Sequence, residues 1–382
     1  MQQTVGAKIK VLHVTEARRV AGTERTLLML LDHHDSAGFA HTVVVRGSGS
    51  FADELAKRKT AVATIPRWGK TDPFALARFA ALVLREKPDI VHIYGGRLEA
   101  IVARALGVPV VERKNVFRGK YYRPALNSRR ADALLDRFVN LSIAPAAAVK
   151  SHYVGRGYDA DAICVVYNGV EPAAERTPEQ RMQKRMELGL SPDAFVVAFA
   201  GRLRPEKGVD TLLSALTSLP GSVCCVIMGD GLFKKNYEEL AHDLGLNGRV
   251  VFTGYRSDVP DVFACSDAVA VPSISDALAN VMLEALAEGK PVIGTAVEGQ
   301  PEAIEHGVTG LLIPPNDAAA LSGAISALAA NPELASRMGE AGKRRALSNL
   351  TPERMTRETE NIYRSLLHCS SKERKCHVAE CR

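Results

Sequence analysis

The pattern that most constrains this chain is a run of short apolar segments separated by amphipathic stretches, which occurs twice. KVLHV (10–14), HTVVV (41–45), DIVHIY (89–94), VPVVE (108–112) and LSIAP (141–145) form the first run, with helical stretches such as Pro73 to Arg85 between them. After the linker-like EPAAERTPEQ the pattern restarts as FVVAFA (195–200), VCCVIMG (223–229), RVVFTG (249–254), AVAVP (268–272), PVIGT (291–295) and GLLIP (310–314). Short strands alternating with helices build parallel sheets through right-handed crossovers. The fold class is therefore α/β, and the restart predicts two doubly wound, Rossmann-like domains facing a cleft. A length of 382 residues suits two cores better than one.

The boundary is expected near Val170 to Pro178, giving an N-terminal domain over 1–172 and a C-terminal one over 173–351. Asn316 to Asn349 is Ala-rich and helical. Thr351-Pro352-Glu353 then reads as an N-cap followed by proline at the first helical position, opening a last helix to about Leu367. That helix (352–368) is expected to cross back to the N-terminal domain, leaving 369–382 as a disordered tail. No internal repeat of 20 to 50 residues is visible.

Composition excludes several classes. Hydrophobic residues at 46% and charged residues at 24% are ordinary for a globular protein, which argues against disorder, fibrous repeats and a disulfide scaffold. MQQTVGAKIKVLHV does not read as a signal peptide, and no run of about 18 apolar residues is present, so a cytoplasmic location is expected. Cys164, Cys224, Cys225 and Cys265 sit in apolar stretches as small hydrophobes. The tail HCSSKERKCHVAECR lacks the paired two-residue gaps of a zinc ribbon, so no metal site is expected there. The net charge is +6, and RKNVFRGKYYRPALNSRR, within 113–137, carries only positive charges. Such a stretch either forms a solvated face or attracts an anionic membrane surface or phosphorylated ligand. No nucleic-acid partner is expected.

Two segments carry chemistry. In FVVAFAGRLRPEKGVDTLLSAL a buried strand ends at a glycine, a turn carries Arg202 and Lys207, and a helix starts just past Gly208. Backbone amides and the positive end of a helix favour an anion there. Arg202 can grip phosphate oxygens in a fork and Lys207 supplies a mobile point charge, so a diphosphate suits the corner. In VPSISDALANVMLEALAEGKPVIGT, Asp276 sits in a loop and Glu284 lies eight positions on, about two helical turns, inside a helix begun near Asn280. Both carboxylates could reach along a ligand laid over the helix start, where a carboxylate suits sugar hydroxyls.

These two segments, about seventy residues apart, closely resemble the retaining glycosyltransferases of the large bacterial group 1 or family 4 type, which have the two-Rossmann-domain GT-B fold. AGTERTLL (21–28), PDIVHIYGG (88–96), YNGVE (167–171), MGDG (228–231), FTGYRSDV (252–259) and EGQPEAIEHGVTGLL (298–312) resemble further landmarks of that family, in order, over nearly the whole chain. The resemblance implies that Arg202 and Lys207 hold the donor diphosphate, Glu284 the ribose, and Asp276 the donor sugar. Amides of Leu278, Ala279, Asn280 and Val281 would face the phosphates, Tyr255 and Arg256 would flank the base, and Gly231 would line its pocket. Gly22, with the helix beginning at Thr23, would meet phosphates or acceptor.

Three departures stand out. Asp276 is one methylene shorter than the glutamate most members carry, and Ala21-Gly22 replaces the usual paired glycines. Glu112-Arg113-Lys114-Asn115 occupies the place where a histidine usually lies near the reacting sugar. Arg113 and Asn115 are therefore read as acceptor-side groups, and His92, at the end of a strand, as a structural or acceptor-orienting ring.

The implied reaction moves a sugar with retention from a nucleoside-diphosphate sugar, of the UDP or GDP-mannose kind, to a hydroxyl of a glycan or lipid-linked acceptor in lipopolysaccharide or other cell-surface glycan synthesis. The leaving phosphate oxygen would take the acceptor proton, with Arg202 and Lys207 stabilising the departing charge and domain closure excluding water. No Asp-x-Asp pair is placed for a divalent metal, and no cofactor beyond the co-substrate is expected. A same-fold sugar-nucleotide epimerase or hydrolase and a non-catalytic nucleotide-sugar-binding subunit remain as alternatives. A nicotinamide dehydrogenase lacks its G-x-G-x-x-G turn in VTEARRVAGTE.

Overall fold

The computed structural model describes residues 7–67, 69, 71–114 and 135–368. The first compact unit holds residues up to Gly169 together with the Pro352–His368 helix, and the second runs from Val170 to Thr351.

In the first unit, β1 (Ile9–Val14), β2 (Phe39–Val45), β3 (Ala61–Thr64), β4 (Ile90–Ile93), β5 (Val110–Arg113), β6 (Leu141–Ala144) and β7 (Ile163–Val165) form a seven-stranded sheet in the order β3-β2-β1-β4-β5-β6-β7. In the second, β8 (Phe195–Ala200), β9 (Val223–Met228), β10 (Val250–Gly254), β11 (Ala268–Val271), β12 (Val292–Thr295) and β13 (Gly310–Ile313) follow the order β10-β9-β8-β11-β12-β13. Every pairing among these strands is parallel. Both units are thus doubly wound.

β3 and β7 are the strands the hydrophobic pattern does not announce. β3 is an edge strand whose four residues are mostly exposed, and β7 has only three residues, so neither has a buried face long enough to impose a period. The Ala-rich stretch of 316–349 is two helices, Ala318–Ala330 and Pro332–Asn349. Asn331 ends the first and caps the second, its side chain accepting from the Leu334 amide at 2.9 Å, while Pro332 cannot continue a helix.

The Pro352–His368 helix packs along the Gly22–His33 helix of the first unit. Met355, Ile362 and Tyr363 are buried in one cluster with Val11, Phe39, Ile90, Val111 and Ile143 of the sheet. Burying such side chains contributes roughly 1.5–3 kcal/mol each, so this helix belongs to the core. In the second unit, Val197, Phe199, Ile227, Ile293 and the leucines of the Val209–Thr217 helix make the equivalent cluster.

Candidate functional site

In the second sheet β8 lies between β9 and β11, so the chain's path across the sheet reverses between β8 and β11. Open α/β sheets bind ligands outside the carboxyl ends of strands at such a reversal. The turn after β8 and the loop after β11 meet there. Gly208 has φ of 67°, and a Cβ on it would lie 2.0 Å from the carbonyl oxygen of Pro272, so only glycine permits this approach. The Ile274 amide donates to the Glu206 carbonyl at 2.9 Å, joining turn to loop. Across that seam Lys207 Nζ donates to Asp276 Oδ2 at 2.5 Å, and the pair is largely shielded, with side-chain exposures of 20% and 15%.

Arg202, two residues past β8, is exposed and has no hydrogen-bond or ion-pair partner among the described residues. The turn therefore presents one committed cation and one available cation. Beside it, a Cβ on Gly231 would lie 2.4 Å from the Leu203 carbonyl oxygen, and the Leu203 amide donates to the Asp230 carbonyl, so the loop after β9 lies tight against the Arg202 turn. The Gly229 amide donates to the Gly254 carbonyl at 2.8 Å, which brings Tyr255, 67% exposed, to the same end of the sheet. Arg256 differs from the sequence expectation. Its guanidinium is held by Asp258, at 2.7 Å from Nε, and by Glu187, at 2.8 Å from Nη2, so it braces the loop and is not a free group beside a base.

The loop ends in the Asn280–Ala287 helix, whose N-cap Ala279 has no side chain to satisfy the first amides. Leu278 and Ala279 are buried, and Glu284 is half-buried one turn in, among buried Met282, Leu283, Ala285 and Leu286. A helix start with no side-chain cap, a free arginine and a lysine already facing a carboxylate suit an anion bearing sugar hydroxyls.

Sequence reasoning missed the polar web below this loop. Thr295, at the end of β12, donates from Oγ1 to the Ser273 carbonyl and accepts from Gln300 Nε2 at 3.1 Å; its amide donates to Gln300 Oε1 at 3.0 Å. Gln300 is fully buried. Ser275 Oγ donates to Glu298 Oε1 at 2.8 Å. The segment EGQPEAIEH was the only signal, and it could have shown these groups only as part of a landmark.

The first sheet reverses between β1 and β4. There the Gly22–His33 helix starts with a carboxylate in place: Glu24 Oε2 accepts from the Ala21 amide at 3.2 Å and its Oε1 from Thr15 Oγ1 at 3.3 Å. Gly22 is the first residue of that helix, whose N-cap Ala21 has no side-chain cap, and Glu24 sets a carboxylate beside the helix's positive end. Of the two roles expected for His92, the surroundings fit the structural one. It lies within β4, fully buried, 2.6 Å from Tyr363 Oη and 3.3 Å from Tyr94 Oη, a structural ring with no open side. Burial, then the nearby Arg113, holds its pKa well below the usual histidine range. Arg113 and Lys114 are buried as well, Arg113 on Asn168 and Lys114 on Glu112 and Asp136, so neither begins a solvent-facing basic stretch. Burial lowers the Arg113 pKa. Asn115, the basic stretch beyond it as far as residue 134, and the tail 369–382 lie outside the described residues.

Among the described residues no group of three or more His, Cys, Asp or Glu side chains could hold a metal ion, and no helix is long and apolar enough to cross a membrane.

Comparison with known proteins agrees with this geometry. Residues 180–345 match the model of glycosyl transferases group 1, and residues 20–174 that of glycosyltransferase family 4. The chain is 33% identical over 281 residues to a D-inositol 3-phosphate glycosyltransferase of Mycobacterium marinum, covering 67% of this chain and 60% of that relative. It is 36% identical over 172 residues to the lipopolysaccharide core biosynthesis glycosyltransferase LpsE of Rhizobium meliloti, covering 45% and 50%. The chain thus spans about half to three fifths of the length of these relatives. Among solved structures, Anabaena Alr3699/HepE, crystallised with UDP and glucose, superposes with a TM-score of 0.85 at 25% identity over 94% of this chain and all of that one. Two family models that together span most of the chain, and two parallel-sheet units of the GT-B kind, make this chain a member of the glycosyltransferase group 1 and family 4 proteins.

Proposed function

We propose that the chain transfers a sugar, with retention, from a nucleoside-diphosphate sugar to a hydroxyl of a glycan or lipid-linked acceptor in lipopolysaccharide or related cell-surface glycan synthesis. The observation that carries this is the Lys207–Asp276 pair with the free Arg202, set at the strand reversal over an uncapped helix start. The UDP and glucose held by the Anabaena structure and the core-glycan role in the name of the Rhizobium relative support the donor and acceptor classes.

In this reading the diphosphate takes Arg202 and the Asn280–Ala287 amides, and Lys207 is shared between phosphate and Asp276. Asp276 faces the sugar hydroxyls, Glu284 the ribose, and Tyr255 the base. The bond from the anomeric carbon to the phosphate oxygen breaks, leaving its electron pair on the phosphate. The acceptor oxygen bonds to the same face of the sugar, and its proton goes to that phosphate oxygen. Arg202 and Lys207 stabilise the charge on the leaving diphosphate, a preorganised contribution that is often the largest in catalysis. The reaction so drawn needs neither a metal nor a further cofactor.

A thermal-shift titration with UDP, GDP and ADP tests the donor site. Stabilisation by one of them, about 2.7 kcal/mol at a hundredfold excess over Kd, is expected and names the base. Silence towards all three refutes it. NMR of the product made from that donor tests retention, since inversion at the anomeric carbon would refute the stereochemistry.

A further inference from the structure

Glu298 has a backbone that its residue type does not favour. Its φ is 51°, in the left-handed region that a side chain with a Cβ rarely occupies. The other non-glycine residues with positive φ among the described residues have local reasons. Lys59 and Lys87 follow or end helices, where such a turn is ordinary, and Asn316 is a type that tolerates it. Glu298 ends no helix, and the glycine that would suit its conformation stands next to it at 299. Strained positions of this kind cluster at functional sites.

What the strain achieves is visible in the contacts. Three residues past β12, Glu298 reaches the loop after β11 and accepts from Ser275 Oγ at 2.8 Å. Burial raises its pKa; the Ser275 hydroxyl, the Asp276 main-chain amide and Lys207 favour its ionised form, while the Asp276 carboxylate opposes it. Oε2 is sealed from solvent without a hydrogen-bond partner. A half-buried carboxylate with an unmatched oxygen beside a second carboxylate is costly, and the arrangement yields one product: a fixed Ser275–Asp276 segment. The deeper Thr295–Ser273 bond holds the same loop further from Asp276.

We infer that Glu298 is a positioning residue of the donor site, whose carboxylate ties down the Ser275–Asp276 segment and so sets where the Lys207–Asp276 pair stands. This rests on the proposed function for what the pair then does. It also accounts for the shortened acid at 276: with one methylene fewer, its reach depends on where the loop is held, and a longer acid from the neighbouring strand end holds it.

The test uses the full chain and Glu298→Gly, a residue at home at this φ, with Glu298→Gln, which keeps an acceptor oxygen. Without nucleotide, hydrogen exchange of the segment 273–279 should quicken at least tenfold in Glu298→Gly and less in Glu298→Gln. With the nucleoside-diphosphate sugar that serves the parent, kcat should fall at least tenfold, while Kd for the free nucleoside diphosphate stays within about threefold because Arg202 is untouched. Asp276→Glu placed in the Glu298→Gly background should recover kcat severalfold, a rescue that a merely structural role does not produce. As pH falls through the raised pKa of Glu298, the carboxylate gains a proton and its accepted bonds weaken. The parent segment should then loosen in acid, and Glu298→Gln should not. Exchange in Glu298→Gly within twofold of the parent overturns the inference whatever the enzymology. A parent that binds no nucleoside diphosphate, with exchange released in Glu298→Gly, refutes the proposed function and supports the loop tie.

Discussion

The two units share one wiring and use it oppositely. Each is a parallel sheet wound in both directions from a first strand, with a reversal at β1/β4 in one and β8/β11 in the other. At the second reversal the turn leaves Arg202 free and the following helix start uncapped. At the first, the helix start is answered by Glu24, and the end of β2 is closed by Arg46 on Glu99, both buried, with Arg67 also on Glu99 at 3.2 Å. Below it lies a chain of rings: His13 Nε2 meets His41 Nδ1 at 2.9 Å, and Tyr94 Oη links His13 at 3.5 Å to His92, which meets Tyr363. Topology alone therefore does not make a phosphate corner. It offers a place, and the side chains decide whether polar capacity there is left open or consumed inside the protein.

Acid should separate the two units most strongly. Burial holds His13 and His92 well below the ordinary histidine range and pushes His41 down to about 3. The unfolded chain then binds more protons than the folded one, so the first unit's stability falls as pH drops from about 6.5 towards 3. The loss is about 1.4 kcal/mol for each unit of pKa difference and should exceed 3 kcal/mol in total. The groups facing these rings are Arg113, Tyr94, Tyr363, His34 and Glu24. In the second unit no described histidine is buried. Among the shifted carboxylates there, Asp258 beside Arg256 and Glu187 beside Lys184 are lowered, so their contribution fades only below about pH 4, while burial raises Glu288 and Glu298, which favours the folded state as pH falls. Chemical denaturation at pH 7 and pH 5, followed by hydrogen exchange, should show the first unit weakening first. Simultaneous loss in both would break the comparison.

Next in size is the open corner itself. Charge-assisted hydrogen bonds contribute about 1.5–3 kcal/mol each, so Arg202→Ala with Lys207→Ala should weaken the preferred nucleoside diphosphate at least about a hundredfold by calorimetry, while Arg202→Ala alone should leave the melting temperature of the free protein little changed. Gly208→Ala adds a Cβ against the Pro272 carbonyl in a left-handed backbone and should cost about 1–3 kcal/mol of second-unit stability. A variant as stable as the parent would show that turn and loop are not joined as described. The smallest effect sharpens the first unit. Tyr363→Phe removes the 2.6 Å partner of His92 and leaves Tyr94, so denaturant unfolding should show a loss of about 1–2 kcal/mol.

How much of this was legible depended on whether a residue's role is local. The buried strands, the Gly208 turn and the Asn280 helix start were readable because hydrophobic period and turn chemistry are written within a few residues. β3 and β7 were not, since an exposed edge and a three-residue strand carry no period. The partners of His92, Arg113 and Lys114 were not readable, because sequence shows a polar residue at a strand end but not the neighbour that consumes it, which for His92 lies 271 positions away. Arg256 has a local partner in Asp258, yet sequence alone does not reveal that the pair closes. Glu298 was hidden for another reason: positive φ on a glutamate leaves no mark in composition.

The Pro352–His368 helix has a consequence for the order in which the protein is made. A ribosome delivers β1 to β7 first, yet their shared core lacks Met355, Ile362 and Tyr363 until more than 180 further residues have emerged. The second unit, contiguous from Val170 to Thr351, can close while the first still waits. Nascent domains usually fold from the N-terminus onward; here the earlier-born sheet is the later to finish, and a chain arrested before Pro352 would carry a finished second unit beside an apolar groove in need of a chaperone.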